Sequence, residues 1–222
     1  MNKLNHIAFI MDGNGRWGIK EKKNRNFGHL EGVETVKKVV AASIKFSIPI
    51  ITFYVFSSEN WKRPQTEKSY LFNLIKKYFE QEMNDLHKQG IKINILGDIK
   101  KLPRSLKKIL KKTVAITKKN KKIIVNLAIN YGSKNEILEA IKKTKGNFSI
   151  NKIEKNLYTK KLPNPDILVR TGGFQRLSNF LLWQLAYTEL FFLKKLWPDF
   201  NSKDLLGIIK KYKNIKRNFG KI

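Results

Sequence analysis

Asp12, Gly13, Asn14, Gly15, Arg16 and Trp17 follow directly on an apolar run at residues 7–11. A run of that kind reads as a buried parallel strand. At its end stand a carboxylate, two glycines around an asparagine, and an arginine. The glycines let the backbone turn tightly and present N–H groups to an anion. A helix beginning near Arg16 adds its N-terminal dipole at the same place. Asp12 is then positioned to hold a divalent cation against phosphate oxygens. Taken alone, Asp-Gly-Asn-Gly is more often a surface turn, so the weight comes from two further clusters. Ser57, Ser58, Glu59, Asn60, Trp61 and Arg63 follow the apolar run at residues 50–56. Arg170 ends another short run and leads into Gly172-Gly173, with Arg176, Leu177 and Ser178 beyond.

An anionic ligand makes sense of these residue types. Two glycine turns with separate arginine pairs suggest two phosphate subsites, one with Arg16 and Arg25, the other with Arg170 and Arg176. The guanidinium fork grips phosphate oxygens through two parallel bonds, which lysine cannot do. Neither turn carries the Lys-Ser/Thr pair of a nucleotide-binding P-loop, and neither is Gly-x-Gly-x-x-Gly. Asp12 and Glu189 are the metal candidates, and a Mg²⁺ shared between one or two carboxylates and substrate phosphates suits them better than an all-protein cage. His29 reads equally as a phosphate donor or as a capping, packed histidine. Ser57 has no evident base beside it, which argues against a nucleophilic serine. Trp17 and Trp61 read as packing residues that also wall the site.

The elements needed to hold these clusters follow from periodicity. Strands are expected at residues 7–11, 50–56, 91–96, 123–129, 166–170 and 190–193. Helices are expected at residues 29–47, 66–88, 102–117, 134–143, 153–160, 180–187 and 202–212. Strand and helix thus alternate about six times, which predicts a single-domain α/β fold over residues 1–222, with a mostly parallel six-stranded sheet flanked by helices. Ligands bind such sheets at the carboxyl ends of the strands, and all three polar clusters fall there. On the helix at residues 66–88, Leu71, Leu74, Ile75, Tyr78, Met83 and Leu86 face inward, as core or as the lining of a hydrocarbon channel.

Composition sets the bounds. The 222 residues carry no cysteine, so disulfides and thiolate metal sites are out. The N-terminus lacks the apolar core of a signal peptide and no apolar stretch is long enough to span a bilayer, so a soluble, cytoplasmic protein is expected. The net charge of +29 suits nucleic acid, an anionic membrane surface or phosphorylated substrates, and does not choose among them. Lysine, 39 residues against 7 arginines, is the default surface cation, yet five of the arginines, Arg16, Arg25, Arg63, Arg170 and Arg176, fall in or near the three clusters. A basic RNA-binding α/β protein without catalysis is the second reading. It rests on charge alone, with no aromatic RNP motif in support, and no nucleic-acid partner is expected.

Four blocks, residues 6–17, Phe27-Gly28-His29, residues 56–64 and residues 166–200, resemble the successive motifs of the cis-prenyltransferases in order and spacing over nearly the whole chain. The resemblance implies a homodimeric, Mg²⁺-dependent enzyme with a hydrophobic tunnel. It implies repeated condensation of isopentenyl diphosphate onto farnesyl diphosphate with cis double bonds, giving a long polyprenyl diphosphate such as undecaprenyl diphosphate for a cell-wall lipid carrier. It implies that Asp12 engages metal and the allylic diphosphate, that Gly13, Asn14, Gly15, Arg16, Arg25 and His29 cradle that diphosphate with Trp17 alongside, and that Glu189 is a second metal carboxylate. Ser57, Ser58, Glu59, Asn60, Trp61 and Arg63 match the segment that positions substrate, with Asn60 taking part in proton removal. Arg170, Arg176, Leu177 and Ser178 match the site for isopentenyl diphosphate. The chain departs from the family pattern at Phe174, where Gly-Gly-Glu-x-Arg is usual, at Gln175, often His, and at Ser133 and Val55. The lysine-rich surface is further expected to touch anionic membrane.

Overall fold

The computed structural model describes residues 2–22 and 24–217. The six strands are β1 (His6–Ile10), β2 (Ile50–Ser57), β3 (Ile91–Leu96), β4 (Ile123–Tyr131), β5 (Ile167–Arg170) and β6 (Glu189–Phe192). They form one sheet in the order β3-β4-β2-β1-β5-β6, and every neighbouring pair is parallel. β1 is central, with β2 on one side and β5 on the other. From β1 the chain fills one side, with β4 inserted between β2 and the edge strand β3, and then crosses to the other, so the order reverses at β1. That reversal opens a crevice at the strands' carboxyl ends, where Asp12 and the residues after β2 and β5 emerge.

The helices are α1 (Asn14–Lys22), α2 (Arg25–Lys45), α3 (Gln65–Lys88), α4 (Arg104–Thr117), α5 (Ser133–Lys143), α6 (Ile150–Glu154) and α7 (Ser202–Lys213). Residues of β1 alternate between two cores: Ile7 and Phe9 join the larger one, Ala8 and Ile10 a smaller one. Phe9 stacks on Phe53 and meets the edges of Trp197 and Phe200. α2 starts at Arg25, four residues before the expected 29, because Asn24 caps it by accepting from the Asn26 N–H.

Two expected helices are corrected. Residues 180–187 form a chain of turns. Ser178, Asn179 and Leu181 adopt left-handed φ of 50°, 62° and 46°, which interrupts a helix. Their backbone is tied instead to α5: the Ser133 N–H donates to the Asn179 carbonyl and the Leu182 N–H to Ser133 Oγ. Tertiary bonds replace the helical ladder, and Phe180, Leu181 and Leu185 cap the smaller core. The helix expected at residues 153–160 is the single short α6, placed three residues earlier by the Ser149 cap.

α1 and α2 cross at glycines. A Cβ on Gly28 would lie 1.8 Å from the Asn14 carbonyl oxygen, and one on Gly18 2.2 Å from that of Asn24. Backbone cannot yield as a side chain does. Gly28→Ala is therefore expected to destabilise the protein by about 2–3 kcal/mol, read as a lowered urea midpoint; an unchanged midpoint would mean that the helices separate at no cost.

A polar row crosses the sheet. His6 donates from Nδ1 to the Pro163 carbonyl (2.8 Å) and its Nε2 accepts from the Thr52 hydroxyl (2.7 Å). Thr52 in turn accepts from Asn126 Nδ2 (2.9 Å), whose Oδ1 accepts from Asn94 Nδ2 (3.0 Å). Burial pushes the His6 imidazole down from 6.5 to about 4, against the opposing pull of the Pro163 bond and Asp166. The unfolded chain therefore takes up this proton first. Stability is full above the unfolded value and is lost as pH falls through the window from 6.5 to about 4, by roughly 3 kcal/mol. Urea unfolding across that window should show a steeper pH slope for the wild type than for His6→Gln; equal slopes would remove His6 as the cause.

Candidate active site

Asp12 stands just past β1, and Gly13, with φ of 112°, turns the chain into α1. The first helical bond is from the Trp17 N–H to the Gly13 carbonyl (2.8 Å). The N–H groups of Asn14, Gly15 and Arg16 thus have no partner within the helix, and the dipole favours an anion there. Gly15 has a specific role: a Cβ on it would sit 2.7 Å from Arg25 Cζ, so only glycine lets that guanidinium lie against the helix start.

The Asp12 carboxylate bridges two arginines. Oδ1 accepts from Arg16 Nη2 (3.2 Å) and Oδ2 from Arg170 Nη2 (2.9 Å). Arg170, 4% exposed at the end of β5, also donates from Nη1 to Ser178 Oγ (2.8 Å) and to the Arg176 carbonyl. Its buried Nε has no partner among the described residues. The left-handed backbone at Ser178 swings that hydroxyl back onto Arg170. β1 and β5 are adjacent and parallel, with Ile10 opposite Arg170, so the two subsites share one wall.

Across the cleft, Glu67 on α3 gathers three groups. Its Oε1 accepts from Arg25 (3.3 Å), Arg63 (3.2 Å) and His29 Nε2 (3.3 Å). Burial works to raise the Glu67 carboxyl, but the bonds and charges of Arg25, Arg63 and His29 outweigh it and leave it below the usual range. Burial lowers His29, with the Glu67 bond and charge opposing and Arg63 and Arg25 reinforcing. A carboxylate only accepts, so His29 Nε2 carries the hydrogen and spends it on Glu67. His29 is thereby a buttress for Glu67 before it is a donor to an anion.

Asn60 is oriented by a similar constraint. Its Oδ1 accepts from the Ser57 N–H (3.1 Å), and a backbone N–H can only donate, which leaves the amide's own two donors for the cleft. Four other expected residues hold the wall. Trp17 donates to Asp199 (2.7 Å) and stacks on Phe27; Trp61 donates to Asn130 (2.7 Å) and packs on Phe56 and Phe72. Glu59 accepts from Asn179 (2.8 Å), and Leu177 packs against the smaller core. Burial pushes the Glu59 carboxyl up, yet bonds from Asn179, its own N–H and the Ser57 and Ser58 hydroxyls bring it below its ordinary value. A Cβ on Gly132 would meet Ser58 Oγ at 2.3 Å, so Ser58 packs against that loop.

Asp12, Gly13, Asn14, Gly15, Arg16, Arg25, His29, Ser57, Asn60, Arg63, Arg170 and Ser178 line one cleft of about 320 Å³, floored by Met11, Tyr54, Val55 and Leu71. Four arginines face one carboxylate in that lining. Met11, Asn14, His29, Val55 and Leu71 also border an apolar cavity of about 110 Å³ between α2, α3 and the sheet, with Val33, Val36, Leu74 and Ile75. Val36, Tyr78, Phe79 and Leu127 then border a further cavity of about 240 Å³ that reaches Leu86 and Ile91. The inward row on α3 is thus shared between core and cavity: Leu71, Leu74, Ile75, Tyr78 and Leu86 border space, while Met83 is buried in the core.

Glu189, expected as a second metal carboxylate, is not brought by the structure to this cleft within one chain. It opens β6 in register with Ile167, at the amino ends of the strands, whereas Asp12 lies beyond their carboxyl ends. Its Oε1 is 3.5 Å from Arg217 Nε. Within the chain it does not meet the other site residues. Among the described residues no three His, Cys, Asp or Glu side chains come together as a metal cage. Asp12 does fit a shared ion. It is partly exposed to the cleft, and two of its roughly four lone-pair sites are taken by arginine, leaving others for Mg²⁺ completed by substrate oxygens and water. Glu67, which periodicity did not single out, is the principal addition; Arg63, which it binds, lies before the start of α3, so helical spacing gave no signal.

An arginine-rich cleft at a sheet's switch point, opening onto apolar cavities, defines a class of α/β protein built for an amphiphile with an anionic head and a hydrocarbon tail. Comparison with known proteins narrows the class. Residues 10–220 match the prenyltransferase family model described as "Putative undecaprenyl diphosphate synthase", and the chain belongs to that family. An isoprenyl transferase of Rickettsia bellii is 43% identical over 225 residues, covering 100% of both chains. One from Prochlorococcus marinus is 42% identical, covering 98% of this chain and 84% of the relative. Lavandulyl diphosphate synthase of Lavandula x intermedia, solved in complex with dimethylallyl diphosphate, superposes with a TM-score of 0.93 at 31% identity, covering 98% of each chain. A "probable undecaprenyl diphosphate synthase" of Campylobacter jejuni superposes with a TM-score of 0.85 at 32% identity, covering 100% of each. The chain is accordingly a prenyl-transferring enzyme, and the RNA-binding reading has no support.

Proposed function

We propose that this enzyme elongates farnesyl diphosphate with isopentenyl diphosphate, forming a cis double bond at each step, to a long polyprenyl diphosphate of the undecaprenyl type that serves a cell-wall lipid carrier. The observation that carries the proposal is that the arginine-lined cleft shares its inner lining residues with the apolar cavities between α2 and α3. The N–H groups at the start of α1, with Arg16 and Arg25, hold the allylic diphosphate; Arg170, Arg176 and Ser178 hold that of isopentenyl diphosphate. Asp12 would hold Mg²⁺, which when bound would supply positive charge to the leaving diphosphate.

In each cycle the allylic C–O bond breaks and its electron pair leaves on diphosphate. The alkene of isopentenyl diphosphate forms the new C–C bond, and loss of a proton beside it creates the double bond. Arginine forks fixed before the reaction stabilise the developing charge, and holding the alkene near the allylic carbon removes much of the entropic barrier. Asn60, whose oxygen is bound to Ser57, offers donors and not a base. Its role is to orient diphosphate or water, and one of these accepts the proton.

The proposal extends to a cytoplasmic homodimer whose lysine-rich surface rests on anionic lipid; no described helix is long and apolar enough to cross a membrane. Equal co-sedimentation with neutral and acidic vesicles would count against the lipid contact, and a monomer by light scattering against the dimer. Mass spectrometry of the product from purified protein, farnesyl diphosphate, isopentenyl diphosphate and Mg²⁺ tests the reaction. A ladder ending in a long polyprenyl diphosphate is expected, and absence of any elongation defeats the reading.

A further inference from the structure

Three guanidinium groups converge on one ring. Arg176 Cζ lies 4.1 Å from the centroid of Phe174, Arg16 Cζ 4.9 Å and Arg170 Cζ 5.8 Å. Phe174 is 40% exposed and follows Gly172 and Gly173, both at positive φ. A Cβ on Gly172 would press to 2.5 Å on Arg16 Nη2, so the loop brings the ring to these arginines only because that position is glycine. Three like charges so close repel one another, and Asp12 compensates only Arg16 and Arg170. Among the described residues, the ring is the group that attracts the Arg176 guanidinium.

We propose that Phe174 is a positioning residue that fixes Arg16 of one diphosphate subsite relative to Arg170 and Arg176 of the other. An aromatic face attracts cations through its quadrupole. It does so without neutralising them and without occupying an N–H group itself, so the ring takes no donor away from phosphate. A carboxylate in this position would instead engage one or two of the forks in ion pairs. The ring therefore holds the distance between the two subsites while leaving their charge undiminished.

The inference rests on the proposed reaction, and pyrophosphate titration keeps the two separable. Phe174→Leu retains an apolar side chain but loses the quadrupole; Phe174→Trp retains and enlarges it. For Phe174→Leu, KM for both diphosphate substrates should rise about tenfold and calorimetric affinity for pyrophosphate should fall by a similar factor, with kcat changed by less than about twofold. Phe174→Trp should restore all three values to within about threefold of wild type. Unchanged pyrophosphate affinity in Phe174→Leu, or a tryptophan variant as impaired as the leucine one, overturns the assignment. Should Phe174→Leu lose its cooperative unfolding transition, Phe174→Met is read in its place on the same criteria. A wild type that binds pyrophosphate but elongates nothing would defeat the reaction while leaving the ring's role to stand on the titration.

Discussion

Asp12→Ala is expected to lower turnover by about 10²–10³-fold or more. The carboxylate is the one acid in a cleft lining of four arginines and the group that fits a shared Mg²⁺. The alanine variant also strips the buried Arg170 of its anionic partner, leaving Ser178 and the Arg176 carbonyl, at a stability cost of about 1–3 kcal/mol. Asp12→Asn separates the effects, because an amide oxygen still accepts from one arginine but lacks the charge for a metal. Turnover should collapse in both variants, while the urea midpoint falls markedly only in the alanine one. Turnover near wild type in Asp12→Asn would show that its negative charge is not needed.

The second large effect is at Arg170. Its two terminal nitrogens join Asp12 to Ser178, coupling the ends of β1 and β5. A lysine offers one ammonium, which can reach the carboxylate or the hydroxyl but cannot hold both in a plane. Arg170→Lys should lose about 10²-fold in kcat/KM for isopentenyl diphosphate, mostly through KM. A loss below about threefold would place the recognition of that diphosphate elsewhere.

Much of this site was legible because it is built on strand ends. Residues 7–11 read as a strand from an apolar run and residues 50–56 from β-branched and aromatic residues, and a parallel sheet brings their carboxyl ends together. Asp12, Asn60 and Arg170 come to one cleft for that reason. Glu67 was not legible. It is one of several acids on the polar side of a long helix, and its value lies in packing that sets α3 beside α2. Glu189 shows the opposite case. It precedes the run expected as a strand at residues 190–193, so strand direction alone placed it at the far end of a parallel sheet from Asp12. The turns at residues 180–187 were hidden because an apolar octet suits a helix until Ser178, Asn179 and Leu181 take left-handed conformations in order to bond α5.

The row from His6 through Thr52 and Asn126 to Asn94 bears on how the sheet is assembled. Strands apolar on both faces say little about which residue should stand beside which, and sliding one past its neighbour loses few greasy contacts. Four hydrogen-bonding side chains in a fixed donor-to-acceptor sequence remove that freedom. A slip of one residue between β1 and β2, or between β2 and β4, would strand at least one of them in a dry interior. The row works as an alignment key, and because the strand tips carry Asp12, Ser57 and Arg170, correct alignment at its level is what brings the reacting ends level with one another.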